Sequence, residues 1–290
     1  MVAAGGLDLA ATLGSGQVFR WRRDAEGSWV GVVGRSTWTV RLEESRLAVV
    51  ATGGTPTAEE VARFFRFDVD LEVLAAAWRG TQPALDDALD RFGGLRVVRQ
   101  PAHDALLGFA IASANQVGRI ARSLDRLAEG WGTPINTASF ALPGWETLAE
   151  ADPLALWQGA DLGYRGKVLV RLAAVMAARP AGWLDGLADL PYDEAQAELV
   201  ALPGIGPKIA DCVCLYGLGF DEAIPVDSHV WAIAHELFEA AIPTASLTAR
   251  TYRAVGDLYR AAFPIAPGWA QHYLFHRRRL TPPGERRRAA

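Results

Sequence analysis

Cysteine is nearly absent: Cys212 and Cys214 are the only two in 290 residues, spaced CxC with no second pair. A disulfide framework, a four-cysteine zinc site and a cysteine-ligated iron–sulfur cluster therefore have no support. Long apolar runs are missing too. No stretch reaches the ~18 consecutive apolar residues that read as a membrane span. The opening MVAAGGLDLAATLGSG lacks the basic segment and apolar run of a secretory signal. Nor is there an excess of positive charge: 29 Lys and Arg face 33 Asp and Glu, for a net charge of −4. Such a chain does not coat nucleic acid by bulk charge, although a local basic face stays open, because binding follows where charge sits. These absences lead to the expectation of a soluble, cytoplasmic protein.

What is present is globular composition: half the residues are hydrophobic, 21% are charged and ten are tryptophan. The length suits one large domain or two ordinary ones. Residues 16–52 read as β structure, with aromatic and β-branched residues alternating with glycine and charge. From Thr57 the pattern turns helical, beginning with a threonine cap and an acidic first turn in TAEEVARFFRF. QPALDDALDRF is amphipathic, and GLRVVRQ (94–100) is a strand-like run able to rejoin the first sheet. Asp104 is placed to cap ALLGFAIASANQ, a helix apolar almost all round and hence buried. A helix with an arginine-bearing face follows in QVGRIARSLDRLAEGWG, and further helices are expected at 147–158, 167–178, 192–201, 207–218, 228–240 and 247–262. No repeat of fixed period occurs. The fold class is α+β: an N-terminal antiparallel β-rich domain with a helical insertion (1–100), an all-helical domain (101–280) and a basic tail (281–290). HRRRLTPPGERRRAA reads as a solvated terminus, with a nucleic-acid contact as the alternative.

The most informative stretch is ALPGIGPKIADCVCLYGLGFDEAIPVDSHVWAIA, Ala201 to Ala234. One helix ends before PGIG and another begins at Pro207, in the first turn that tolerates proline. Gly204 and Gly206 suit a turn that needs positive φ or a close approach. The result is a helix–hairpin–helix, whose free amides at a helix N-terminus suit a phosphate; a plain connecting turn reads equally well. A dinucleotide fingerprint needs a preceding strand and a third glycine, and a P-loop needs Lys-Ser/Thr, so neither fits. Lys208 stands in a helix first turn, where the macrodipole disfavours a cation. That field with partial burial predicts a lowered pKa and a nucleophilic amine, against the alternative of a snorkelling surface lysine. Asp227 reads as an N-cap, and near Lys208 it would also serve as a fixed anion.

These residues resemble the helix–hairpin–helix DNA glycosylase superfamily, and within it the 8-oxoguanine DNA glycosylase/AP-lyase family. SGQVFRWRR (15–23), FRFDVDLEVL (65–74), residues 94–120, DLGYRGK (161–167) and GWAQHYLF (268–275) resemble family segments in the same order. The resemblance implies an N-terminal β-rich domain beside a helix–hairpin–helix glycosylase core. It implies a flipped-out damaged base, with Lys208 as catalytic lysine forming a Schiff base and Asp227 as catalytic aspartate stabilising the cationic sugar. Gly16 matches the glycine whose carbonyl accepts the lesion N7–H. Gln271 matches the reader of the Watson–Crick edge, and Phe275 and Cys212 the pair flanking the ring. Taken without the family, these are a core aromatic, a surface amide and a buried small hydrophobe.

Tyr164 matches a wedge in the base stack, Arg165 and Arg119 match arginines on the orphaned cytosine, and His229 matches a phosphate contact. Gly204 and Gly206 would hold a phosphate, with a structural monovalent cation at the hairpin as the one ion implied and no other cofactor. The implied partner is double-stranded DNA carrying oxidised guanine, met by a monomer in the cytoplasm at the nucleoid. One departure matters: an Asn-Asn-Asn run of eukaryotic members is Ala114-Asn115-Gln116 here. Asn115 remains a DNA-contacting candidate, but Ala114 has no hydrogen bond to offer, so relaxed opposite-base preference is expected. Two rivals are a glycosylase for alkylated bases, which usually lacks the lysine, and a helix–hairpin–helix module that only binds DNA.

Overall fold

The computed structural model describes residues 1–112, 117–238, 241–242 and 246–282. Its N-terminal part is an antiparallel sheet of five strands, β1 (Val2–Ala3), β2 (Trp21–Arg23), β3 (Trp29–Val33), β4 (Ser36–Glu43) and β5 (Arg46–Thr52). β2 to β5 form a meander, and β1 pairs with the outer side of β5. A short helix, α1 (Leu9–Gly14), precedes β2 and is capped by Asp8, which accepts the Ala11 N–H at 2.9 Å. The alternation of strand residues buries Trp21, Trp38, Val40 and Leu47 on one face. Against it lies α2 (Ala58–Phe64), started by a reciprocal Thr57–Glu60 capping box. Phe64 of that helix sits 5.8 Å from the Trp21 ring and 5.5 Å from Trp38.

The helices are α3 (Leu71–Trp78), α4 (Pro83–Phe92), α5 (Ala102–Ala112), α6 (Val117–Trp131), α7 (Trp145–Ala149), α8 (Pro153–Gly159), α9 (Arg165–Ala177), α10 (Trp183–Gly186), α11 (Tyr192–Val200), α12 (Pro207–Val213), α13 (Ser228–Phe238), α14 (Ala249–Ala262) and α15 (Pro267–Leu280). All contribute to one apolar core, α3 and α4 included although they follow directly on the sheet region in the chain. At its centre α5 buries Leu106, Leu107, Phe109 and Ile111, with α12 packed against it. The amphipathic α6 turns Arg119, Arg122 and Arg126 outward. Its Asp125 accepts from Arg20 at 3.2 Å and from Arg22, which ties the helix to the sheet.

Several sequence-based expectations are corrected. Residues 94–100 form no strand. The fully buried Gln17 amide takes the place of a neighbouring strand: Nε2 donates to Thr12 O and Arg96 O, and Oε1 accepts the Val98 N–H, each at 2.8 Å. Asp104 lies inside the first turn of α5 and is no cap; its carboxylate accepts the Gly34 N–H at 2.8 Å, joining sheet to helix. The helix expected at 147–158 is two, because Asp152 caps a new start at Pro153. The helix expected at 207–218 widens after Val213 into a π turn, Cys214–Leu218. The first third of the supposed solvated terminus is the end of α15: His276 is buried 4.6 Å from the Phe92 ring, and Arg277 and Arg278 pair with Asp87 and Glu236. The described part of α13 starts where expected, and residues 239–240 lie outside the described residues.

Candidate active site

The helix–hairpin–helix expected from the sequence is α11, a turn, and α12. Gly204 has φ +78° and a Cβ there would meet Val168 Cγ1 at 2.2 Å, so both conformation and space demand glycine. Gly206 differs. Its φ of −94° and ψ of 173° are extended, and open space surrounds its Cα. Its lack of a side chain leaves the start of α12 bare, and no side chain caps that end. Pro207 takes the first helical position.

Lys208 and Asp227 line the same open cleft, of about 830 Å³, together with Gly204, Gly206, His229 and Tyr252. Asp227 caps α13: its Oδ1 accepts the N–H groups of His229 at 2.8 Å and Val230 at 2.9 Å. Lys208 lies half-buried with Nζ 5.7 Å from the Phe109 ring centroid. One turn further along α12 is the buried Cys212 thiol, near enough for each group to act on the other's titration.

The expectation of a depressed lysine is reversed. The Cys212 sulfur, when ionised, and then the Asp227 carboxylate hold Lys208 above its ordinary value, more than offsetting the opposing effect of burial. Burial also pushes the Cys212 thiol up to about 11. At neutral pH the sulfur therefore keeps its proton, and the influences left on Lys208 are burial, which opposes the ammonium, and then the Asp227 carboxylate, which favours it.

Next to the cleft, α15 and the loop after α1 hold Phe275, Gln271 and Gly16; none of these, nor Cys212, is among the residues that line it. Phe275 faces His229 edge-on at 5.8 Å and lies nearly parallel to His272 at 6.0 Å. One turn earlier Gln271 is buried, and its Oε1 has no hydrogen-bond partner among the described residues. A buried amide oxygen left bare in this way is an acceptor waiting for a donor. Gly16, with φ +91°, reaches Phe275 through Arg279, whose Nη1 would stand 2.7 Å from a Cβ on Gly16. The segment around Gly16 is clamped on both sides. Buried His272 donates from Nε2 to Ser15 Oγ and accepts from Tyr216 OH at Nδ1, each at 2.9 Å, while Gln100 donates to Gln17 O at 2.9 Å. Burial drives the His272 pKa well below the ordinary value, so the ring stays neutral and this one tautomer satisfies both bonds.

Beside the hairpin, Tyr164 and Arg165 share a groove with Gly204 and Ile205. The Tyr164 ring is 63% exposed, with the Arg165 guanidinium 4.8 Å from its centroid. Arg119 is exposed and pairs with Asp161 at 3.2 Å. Asn115 lies outside the described residues, as do Ala114 and Gln116.

Residues 1–106 match the family profile described as 8-oxoguanine DNA glycosylase, N-terminal domain. The N-glycosylase/DNA lyase of Saccharomyces cerevisiae is 30% identical over 79% of this chain and 67% of its own length. The chain belongs to the N-glycosylase/DNA lyase family of 8-oxoguanine repair. The N-glycosylase/DNA lyase OGG1 of Arabidopsis thaliana is 29% identical over 93% of this chain and 76% of its own. Among solved structures, MBOgg1 in complex with a low-affinity DNA ligand superposes with a TM-score of 0.82 at 25% identity, covering 95% of this chain and 93% of that one. The chain is thus a DNA N-glycosylase with AP-lyase activity. Within the family site, sequence reasoning missed the Ser15–His272–Tyr216 chain and Arg279. The only signal for them was a histidine and a basic run in HYLFHRRRL, which equally suits a solvated helix end.

Proposed function

We propose that the protein excises 8-oxoguanine from double-stranded DNA as a monomer acting on nucleoid DNA in the cytoplasm, and then nicks the strand at the abasic site. The observation that carries this reading is the shared cleft of Lys208 and Asp227, with Phe275 packed edge-on against His229 at its border. The DNA in the MBOgg1 complex supports the partner. In the proposed reaction the base leaves the stack, lies against Phe275, donates N7–H to the Gly16 carbonyl and presents its Watson–Crick edge to Gln271, with Cys212 against the other face. Tyr164 fills the gap, and Arg119, Arg165 and Asn115 meet the orphaned base. His229 and the hairpin at Gly204 and Gly206 hold backbone phosphates.

The Lys208 ammonium gives up its proton, which the base takes as it leaves, and Nζ bonds to C1′ while the C1′–N9 bond breaks with its electron pair passing to the base. A proton then moves from Nζ to O4′ as the C1′–O4′ bond opens to the iminium; water takes a C2′ proton and the 3′ phosphate is expelled with the C3′–O electron pair. The Asp227 carboxylate, fixed by two backbone N–H groups, stabilises the positive charge developing on the sugar. The amine, the carboxylate and the hairpin amides suffice, and no cofactor enters the proposal. Lys208 argues against the alkylated-base reading, in which water is the nucleophile.

Borohydride added during reaction with an 8-oxoguanine duplex tests this. A covalent adduct is expected from the wild type and none from Lys208→Gln; equal trapping in both would overturn the mechanism. The assay is clean because Lys167, on the exposed side of α9, is the only other lysine. Run with each of four bases opposite the lesion, it also tests relaxed opposite-base preference, which a strong demand for cytosine would refute.

A further inference from the structure

One guanidinium, set against Phe275 and the Ser15–Gly16 backbone, has no part in the reading above. Arg279 stands one turn beyond Phe275 on α15, 5.6 Å from the centroid of its ring, and donates to the Ser15 carbonyl. It lies between the Phe275 ring and the Gly16 backbone, since a Cβ on Gly16 would be 2.7 Å from Nη1. In the proposed reaction a damaged base meets both, Phe275 at its face and the Gly16 carbonyl at its edge. Its helical neighbours behave differently, with Arg277 held by Asp87 and Arg278 by Glu236. Among the described residues Arg279 has no ion-pair partner; its contacts are one carbonyl and one aromatic ring, with Asp227 acting on it through space.

A ring stacking on Phe275 has to displace something. His272 is fully buried and bonded at both ring nitrogens, and His229 meets Phe275 only at an edge. Arg279 is half-buried with one hydrogen bond, so it is the neighbour that yields.

We propose that Arg279 is a specificity-determining residue: it fills the empty base pocket and, as an oxidised purine enters, donates to the lesion carbonyl beside N7–H. This rests on the functional reading of Gly16 and Phe275. In an 8-oxopurine N7–H is flanked by O8 on one side and by the C6 substituent, O6 in 8-oxoguanine, on the other. The Gly16 carbonyl as acceptor with a guanidinium beside it as donor mirrors that pattern. A guanidinium is suited to the task because it is always charged and its donors are rigidly splayed.

The test uses Arg279→Met, which keeps the stem and removes the donors, and Arg279→Lys. Single-turnover release of 8-oxoguanine is compared with release of 8-oxoadenine, which keeps O8 and N7–H but carries an amino group at C6. Borohydride trapping on a duplex with an abasic site, where no base enters, is the control. Arg279→Met is expected to slow 8-oxoguanine release about 10- to 100-fold, the scale of one charge-assisted hydrogen bond. Abasic trapping should stay within about twofold, and Arg279→Lys should restore part of the loss. Loss confined to 8-oxoguanine assigns the contact to O6, and equal loss on both bases to O8. Unchanged or faster release in Arg279→Met would reduce Arg279 to a plug, and equal loss on the abasic duplex would make it structural; either overturns the proposal. A wild type that traps on the abasic duplex yet releases no 8-oxoguanine overturns the functional reading and this one together.

Discussion

In the proposed mechanism Asp227 has two separable jobs, and a pair of substitutions divides them. Its Oδ1 alone accepts both cap hydrogen bonds of α13, from His229 at 2.8 Å and Val230 at 2.9 Å. Asn in its place keeps an oxygen able to accept both, and removes the charge; Ala removes both. Loss of an N-cap costs about 1–2 kcal/mol, whereas Asn caps about as well as Asp. At about 2–4 °C of melting temperature per kcal/mol for a chain of this size, Asp227→Ala should melt several degrees lower and Asp227→Asn within about a degree of wild type. Excision of 8-oxoguanine should fall about 100- to 1,000-fold in both, the usual size of one removed electrostatic stabiliser of a transition state.

A second readout follows from Lys208. The Asp227 charge favours the ammonium, after the ionised Cys212 sulfur, so neutralising it lowers the lysine pKa and makes free amine available at lower pH. The pH profile of borohydride trapping on an abasic duplex should therefore move to lower pH in Asp227→Asn. Differential scanning fluorimetry, single-turnover excision and trapping across pH check the three parts. Excision by Asp227→Asn within a few-fold of wild type would reduce Asp227 to a helix cap. A profile that moves to higher pH would refute the charge argument.

Gln17→Ala should destabilise the protein by about 3–5 kcal/mol in urea unfolding, because two carbonyls and the Val98 N–H in a fully buried site lose their partners at once. Asp211 offers a pH signature. It is buried, accepts from Tyr192, Gln196 and Tyr252, and burial raises its pKa from 3.8 to about 6. A carboxyl raised in the folded state favours folding most below its unfolded pKa, and that contribution disappears as pH rises through about 6. It amounts to about 3 kcal/mol at one pKa unit per ~1.4 kcal/mol. The fall in stability between about pH 4 and pH 6 should be shallower in Asp211→Asn, and an unchanged slope would refute the assignment.

Features set by neighbours within one or two helical turns were legible in the sequence. The Thr57 cap, Pro207 at a helix start, the Asp227 cap and the all-buried α5 each follow from side chains spaced at most four apart, and the structure has them all. Failures came where a distant group took over a local preference. GLRVVRQ has the composition of a strand, but the Gln17 amide from the α1–β2 loop had already taken its backbone groups. Asp104 has the position of a cap, but the Gly34 amide of the sheet claimed it. The basic run after Phe275 resembles a solvated end, yet Asp87 and Glu236 pair with two of its arginines, and the third lies over the Phe275 ring and donates to the Ser15 carbonyl.

By itself the sequence determined the hairpin that presents Lys208 and the family to which its residues point. The tertiary structure decided what those residues face. Ser15 and His272, 257 residues apart, meet through one hydrogen bond beside Gly16, and no spacing rule reaches that far. The charge state of Lys208 shows the physical reason most plainly. Its helix position and burial argue for a lowered pKa, and the Asp227 carboxylate and Cys212 sulfur argue for a raised one. The sign depends on distances through space, which exist only once the chain has folded.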